Sequence, residues 1–318
     1  MADGWEVNAL YRGKPPRQSS PDAVSLQAIR AIHGDIEDSA CLDRATEGID
    51  VVFHAAAKVH SVPRTRQEEK EFYRINVDGT EKLLRACQRQ PLRAFIFFST
   101  IAVYGPDTEI PMQETTPCRP EGAYAVSKFQ AEERVLSSGK RGMPASVLRL
   151  GLVYGEAERG NFLRMVRSID RGRFLFVGSL GCKKSMTYVE NVIDAALLAA
   201  ENPLARGEIF NLADPSPYPL KLVVETVAKE LGVSLSQLRI PPSVLYLCGG
   251  LLEFFGGALH FHPPFTPRDV KKLTSDTICD VTRIESTLGF KSRIGLEEGV
   301  RRTVHWYRGQ QEGRSKRL

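Results

Sequence analysis

Cysteine is scarce in this chain of 318 residues. There are six, Cys41, Cys87, Cys118, Cys182, Cys248 and Cys279, with no C-x-x-C pair among them. That spacing excludes a disulfide framework and a thiolate metal site, and predicts reduced, mostly buried thiols in a cytoplasmic protein. His260 and His262 lack the further ligand spacing a metal site needs, so no metal is expected. A dominant charge of one sign is lacking too. The net charge of +5 is spread along the chain apart from the tail Arg314-Ser-Lys-Arg-Leu318, and no DNA- or RNA-binding motif occurs. Nucleic acid is therefore not an expected partner. Met1-Ala-Asp-Gly-Trp5 is neither basic nor followed by an apolar core, so no secretory leader is expected. A clean membrane span is lacking as well, since a bilayer needs about 20 apolar residues. The nearest run, residues 243–261, is interrupted by Glu253 and by the pairs Gly249-Gly250 and Gly256-Gly257. It reads as a buried helix or substrate cover, with contact at a membrane surface as the alternative.

What is present suits an ordinary globular protein: 42% hydrophobic and 25% charged residues. Short apolar runs at Val7–Tyr11, Val51–His54, Ala94–Ser99 and Ser146–Leu150 read as buried parallel strands. Between them, Ser39–Thr46, Val77–Gln90 and Ala123–Ser138 carry apolar residues at helical spacing. This alternation predicts an α/β fold with a doubly wound parallel sheet of Rossmann type. Beyond residue 155 the pattern loosens. Helices are expected at Phe162–Arg171, Val189–Ala200, Leu220–Leu231 and Leu296–Tyr307, and a strand at Glu208–Leu212. The expected division is a nucleotide-binding domain over 1–155 and a mainly substrate-binding region over 156–318, with elements returning to the core sheet.

Chemistry enters at Tyr124-Ala-Val-Ser-Lys128, which places a phenol and an ammonium four residues apart on one helix face. Free tyrosine has a pKa of about 10, and a nearby cation favours the phenolate. Such a phenolate can take a hydroxyl proton during oxidation of an alcohol and return it during reduction. With nine tyrosines in 318 residues, chance alone supplies roughly 0.4 such pairs, so context must decide. The context is FFSTIAVYG over 97–105, which ends an expected strand and puts Thr100 at its C-terminal edge, where open α/β sheets place ligands.

These segments, followed by LRLGLVYG (148–155) and accompanied by HGDI (33–36), VVFHAAAKVH (51–60) and INVDGT (75–80), resemble the extended short-chain dehydrogenase/reductase family. This is also called the NAD-dependent epimerase/dehydratase family, and the resemblance runs from about residue 5 to 307. It implies NAD or NADP as cofactor and a catalytic group of Thr100, Tyr124 and Lys128. Thr100 would hydrogen-bond the reacting oxygen, and Lys128 would also hold the nicotinamide ribose. By the same resemblance Asp35 and Ile36 would meet the adenine, Ala55, Ala56 and Ser99 would line the cofactor, and Asn76 would support the site.

The chain departs from the family where a G-x-x-G-x-x-G loop should hold the pyrophosphate, and Gly178-Ser-Leu-Gly181 comes far too late to serve. A first strand-loop-helix unit of about 25–30 residues is therefore expected to be missing ahead of Gly4, leaving an N-terminally truncated sheet. A truncated, catalytically inactive chain is one alternative that follows. The end of the first strand, Leu10-Tyr-Arg-Gly-Lys14, lacks an acid for the ribose 2′-hydroxyl; Arg12 suits a 2′-phosphate, which keeps NADP open.

Sugar-nucleotide dehydratases of the family carry Asp-Glu after the catalytic Thr. Ile101-Ala102 stand there instead and cannot move protons, which leaves redox chemistry or 4-epimerisation. Asn161, in GNFLRMV, and Lys184, in KKSMTYVEN, resemble residues that meet the phosphates of a nucleotide sugar, and Arg268 is a further candidate. The expected substrate is a nucleotide sugar altered at C4. A hydroxysteroid or other hydrophobic alcohol is the alternative, on account of residues 243–261. A homodimer is left open.

Overall fold

The computed structural model describes residues 5–13, 29–59, 63, 65–158, 160–178, 180–235, 239–247, 270–271 and 274–315. Arg268, His260, His262 and most of the apolar 243–261 run lie outside the described residues. No helix of the described residues is long and apolar enough to cross a membrane.

The chain divides into two compact units that interleave in sequence. The first comprises residues 1–98, 122–147 and 206–208, and the second residues 99–121, 148–205 and 209–318. In the first, β1 (Val7–Tyr11) pairs in parallel with β2 (Ile29–His33), Val7 facing Ile29 and Tyr11 facing His33. Helix α1 (Ser39–Thr46) follows, started by Asp38, whose carboxylate accepts from the Cys41 N–H at 3.1 Å. Strand β3 (Val51–His54) leads to α2 (Arg66–Tyr73), capped by the Thr65 hydroxyl on the Glu68 N–H.

Helix α2 runs directly into a π-helical turn, Arg74–Asp78, and on into α3 (Gly79–Cys87). The sequence pattern predicts one helix from Val77 to Gln90. The observed turn differs because the Gly79 N–H reaches back five residues to the Arg74 carbonyl rather than four. Gly79 packs closely there, since a Cβ at that position would lie 2.9 Å from Ile36 Cγ2 and would have to displace that side chain.

Strand β4 (Ala94–Thr100) is parallel to β3 and is buried from Ala94 to Phe97. Helix α4 (Gly122–Lys140) packs against α2, the π turn and α3. Strand β5 (Ala145–Leu150) is buried almost throughout, including the polar Ser146 and Arg149, as befits a strand covered on both faces.

The second unit holds β6 (Leu152–Tyr154), α5 (Asn161–Asp170), β7 (Phe176–Val177), β8 (Lys183–Lys184), β9 (Met186–Tyr188) and α6 (Val189–Glu201). It continues with β10 (Ile209–Leu212), β11 (Tyr218–Pro219), α7 (Leu220–Leu231), β12 (Arg239–Ile240), α8 (Thr282–Leu288) and α9 (Leu296–Ser315). Strands β6 and β9 are parallel, as are β7 and β12, whereas β8 and β11 are antiparallel. The core of this unit gathers Tyr154, Phe162, Val166, Tyr188, Val227 and Val304, so α5, α7 and α9 each bury one apolar stripe there.

The sheet to which β4 belongs has the strand order β10-β5-β4-β3, and β1 and β2 form a sheet of their own. The fold is a Rossmann-like α/β arrangement with a parallel sheet, as the alternation of strands and helices predicts.

Candidate active site

Within the first unit the catalytic candidates stand on α4. Tyr124 is half-buried in its first turn, and Lys128 lies one turn further on, 3% exposed. The Lys128 Nζ donates to the Phe98 carbonyl at 2.6 Å and sits 4.0 Å from the centre of the Phe97 ring. Burial pushes its pKa down to about 7, against which the carboxylate of Glu132, one turn on, acts in the opposite direction. A cation over an aromatic face with a carbonyl at its tip is a defined seat for an ammonium.

Asn76 lies in the π turn, 1% exposed, and its amide joins three segments. Its Oδ1 accepts from the Lys58 N–H at 2.7 Å while its Nδ2 donates to the Lys58 carbonyl at 3.2 Å. That pair of bonds holds the peptide of residue 58 as a neighbouring strand would. The same Nδ2 donates to the Ser127 hydroxyl at 2.9 Å, and Ser127 in turn donates to the Tyr124 carbonyl at 2.9 Å. The loop after β3 and the first turn of α4 are thus tied to one side chain.

That loop begins with Ala55 and Ala56, both exposed. Two consecutive alanines at the C-terminal end of a parallel strand leave the main chain open to a ligand, as a dinucleotide requires. Arg12 and Asp35 lie just after β1 and β2 and pair at 3.4 Å, while the other Asp35 oxygen accepts from the Glu37 N–H at 3.1 Å. Ile36 is 8% exposed and packs toward Gly79, so only its main chain can face a cofactor.

Thr100 belongs to the second unit. It ends β4, is half-buried, and its hydroxyl accepts from the Ala102 N–H at 3.2 Å, opening a 3-10 turn over Ile101–Tyr104. Ser99 beside it is 3% exposed. The glycine of V-Y-G is demanded by geometry. Gly105 has φ +92°, and a Cβ there would lie 2.2 Å from the Arg119 carbonyl oxygen. The tyrosine of that motif is an anchor: Tyr104 is fully buried and donates to Asn211 Oδ1 at 2.7 Å. Burial pushes its phenol up to about 12.

Of the phosphate candidates, Asn161 is exposed at the start of α5, where its Oδ1 accepts from Arg164 at 3.4 Å. Lys184, a further phosphate candidate, is half-buried at the end of β8. Its ammonium donates to the Ser275 carbonyl at 2.6 Å and to the Thr277 hydroxyl at 3.3 Å, and burial lowers its pKa. A concavity between α5 and α9, lined by Leu163, Arg167, Trp306 and Tyr307 among others, contains none of the predicted residues.

Sequence reasoning passed over Ser127 and Lys58, although both lie inside quoted motifs, YAVSK and VVFHAAAKVH. A hydroxyl three residues after the tyrosine was the available signal for Ser127. Nothing in the spacing marks a main-chain amide as the partner of Asn76, 18 residues away.

Comparison with known proteins bears on the family and the fold. The sequence model of the NAD dependent epimerase/dehydratase family matches residues 1–213. The chain is 30% identical to the N-acetyl-alpha-D-glucosaminyl-diphospho-ditrans,octacis-undecaprenol 4-epimerase of Escherichia coli O157:H7, over 86% of this chain and 82% of that one. It is 28% identical to the UDP-glucose 4-epimerase of Vibrio cholerae, over 85% and 80% of the two chains. Among solved structures, the UDP-glucuronic acid 4-epimerase from Bacillus cereus, in complex with UDP-glucuronic acid and NAD, superimposes with a TM-score of 0.72. That match covers 91% of this chain and 84% of the other at 21% identity, which speaks for the fold.

Proposed function

Because the chain belongs to the NAD dependent epimerase/dehydratase family, we propose that it epimerises or reduces a nucleotide-activated sugar at C4, with Thr100, Tyr124 and Lys128 as its catalytic group. It is an NAD(P)-dependent epimerase or dehydrogenase by family; the C4 position and the residue roles are our reading. The observation that carries the residue roles is the seat of Lys128, one helical turn from Tyr124, with its ammonium on the Phe98 carbonyl and over the Phe97 ring; the C4 position draws on the names of the relatives.

A lysine ammonium close by favours the Tyr124 phenolate, which accepts the C4 hydroxyl proton as the carbinol becomes a ketone. The Thr100 hydroxyl hydrogen-bonds that same oxygen and orients it. On reduction Tyr124 returns the proton. NAD, when bound, supplies the two-electron acceptor and donor that the interconversion needs. Residues that fit it are Ala55 and Ala56 through their open main chain, Asp35 and Ile36 at the adenine end, Arg12 beside the ribose, and Ser99, Asn76 and Lys128 around the nicotinamide. Residues 1–155 are assigned to the cofactor and 156–318 mainly to the substrate. There Asn161 and Arg268 are the phosphate contacts, and Lys184 joins them only by exchanging the Ser275 carbonyl for a phosphate oxygen. Ile101 and Ala102 offer no acid or base for dehydration.

A second reading, a hydrophobic alcohol or a lipid-linked sugar, draws on Val244 and Leu247, which are 47% and 65% exposed and open the apolar 243–261 run. The E. coli relative is itself named for an undecaprenol-linked sugar. Incubation with UDP-hexoses, an undecaprenyl-diphospho-sugar and sterols, each with NAD and NADP, separates the readings through product chromatography and nicotinamide absorbance. A C4 epimer is expected, or a 4-keto sugar formed together with reduced nicotinamide. Turnover of sterols alone would overturn the sugar assignment, and turnover of nothing would support the inactive-chain alternative. Tyr124→Phe should lower kcat by about 10²–10⁴-fold while circular dichroism stays unchanged. Full activity of that variant would remove Tyr124 from its role.

A further inference from the structure

Asn76 can hold the Lys58 peptide and α4 together only while the π turn presents its amide in one register. Two residues that the proposed reaction does not use lie directly beneath that turn. Thr80 is fully buried, and its hydroxyl donates to the Asn76 main-chain carbonyl at 2.6 Å. His54, at the end of β3 and 2% exposed, places its Nε2 2.7 Å from the Thr80 hydroxyl oxygen.

The direction of these bonds is fixed by chemistry. A carbonyl oxygen only accepts, so the Thr80 proton goes to Asn76, and the Thr80 oxygen must accept from the imidazole. His54 therefore carries its proton on Nε2. Burial, with the Lys128 cation as a further cause, pushes the ring down to about 3, so it is a neutral donor. The donors run in one direction, from His54 to Thr80 to the Asn76 carbonyl.

A threonine that bonds the carbonyl four residues back is a common habit within helices and signals nothing by itself. Here two things are added. The hydroxyl also accepts from a buried imidazole on a different element, which no helix requires. The carbonyl it grips belongs to the one residue whose amide binds both the loop after β3 and the Tyr124 turn. All of these groups lie within the first unit.

We propose that Thr80, held by His54, is a positioning residue: it fixes the π turn in the register that lets Asn76 set the Ala55–Lys58 loop and the Tyr124 turn against one another. The proposal rests on the catalytic reading of Tyr124 and Lys128. His54 and Thr80 are both buried, at 2% and 0% exposed, and the proposed reaction gives neither a place at the substrate or cofactor. Their effect passes through Asn76 to the place where the phenol and the loop lining the cofactor are held. Misplacement by a fraction of an ångström at such a point is felt in the chemical step rather than in ligand affinity.

The test uses the full chain as wild type, Thr80→Val, which keeps the shape but removes the hydroxyl, Thr80→Ser, which retains it, and Thr80→Ala, which relieves crowding if valine misfolds. Hydrogen–deuterium exchange of the segment 55–59 reads the Lys58 amide directly. The pH profile of kcat/KM with UDP-glucose and NAD reads the Tyr124–Lys128 geometry. Thr80→Val or Thr80→Ala should speed exchange at Lys58 and lower kcat, each by about tenfold. KM should hardly move, and the limb of the pH profile that reports the phenol should shift upward as the helix turn drifts from Lys128. Thr80→Ser should restore all of these.

A merely structural threonine would lower the melting temperature and scale the profile without moving its limbs, and that result overturns the proposal. So does a wild-type Lys58 amide that exchanges at the unprotected rate, which decides the matter even if both hydroxyl-less variants fail to fold. A wild-type chain that turns over no substrate, yet shows Lys58 protection lost in Thr80→Val, sinks the catalytic reading and leaves the Thr80–Asn76 linkage standing.

Discussion

Burial draws the Lys128 ammonium down to about 7, so at neutral pH it holds its proton by a narrow margin. In an unfolded chain a lysine keeps its proton to about pH 10.4. The folded pKa is the depressed one, so the stability this group contributes is fully present above about pH 10.4 and is lost as pH falls toward 7. Lys128→Met should therefore be more stable than the parent at pH 7 by roughly 1–3 kcal/mol, with the difference shrinking as pH rises to 9.5. Urea unfolding at the two pH values measures it. The same variant should lose most of its activity. A Lys128→Met chain no more stable at pH 7 than at 9.5, relative to the parent, would show that the ammonium is well solvated. The motif Y-x-x-x-K was legible in the sequence because it is local and helical. The carbonyl of Phe98 and the ring of Phe97 that seat the lysine were not, because they come from a strand 30 residues earlier.

Elements with explicit stops were read to the residue. Ser39–Thr46 is preceded by the capping Asp38, and Leu220–Leu231 is closed by Gly232 at φ +64°. Strand β2 and helix α2 were not anticipated. Arg-Gln-Glu-Glu-Lys-Glu-Phe-Tyr has only Phe72 buried and so no apolar stripe to announce it, and Ile29–His33 is broken by Arg30. The two- and three-residue strands of the second unit are too short for any periodicity to show. What holds that region is a buried carboxylate. Asp214, 3% exposed, accepts from Ser292 at 2.7 Å, Thr187 at 2.9 Å, Tyr218 at 2.9 Å and Asn191 at 3.3 Å. Asn191 passes the tie on to the Ile294 carbonyl at 2.8 Å. Four donors converge on one side chain, so its removal leaves several buried groups without partners. Asp214→Ala should cost about 3 kcal/mol or more in denaturant unfolding, well above a surface substitution. A loss below about 0.5 kcal/mol would mean the donors find other acceptors.

At the scale of the whole chain, class and family were visible because strand-helix alternation and a series of motifs in fixed order survive at low identity. The long-range pairings that turn motifs into a site were not, and they depend on main-chain atoms that sequence patterns do not report. One feature of the sheets bears on handling the protein. Among the described residues β1 pairs only with β2, and β3 only with β4. One edge of each therefore has no strand partner among the described residues, along Val-Asn-Ala-Leu-Tyr and Val-Val-Phe-His, beside a Phe53 that is 39% exposed. Neither segment contains the proline or lysine with which proteins blunt such edges. Concentrated stocks should thus thicken with time into scattering, dye-binding assemblies whose onset depends steeply on concentration. Phe53→Lys should delay that onset, and its shelf life set against the parent's, followed by light scattering, is a direct reading of how adhesive these edges are.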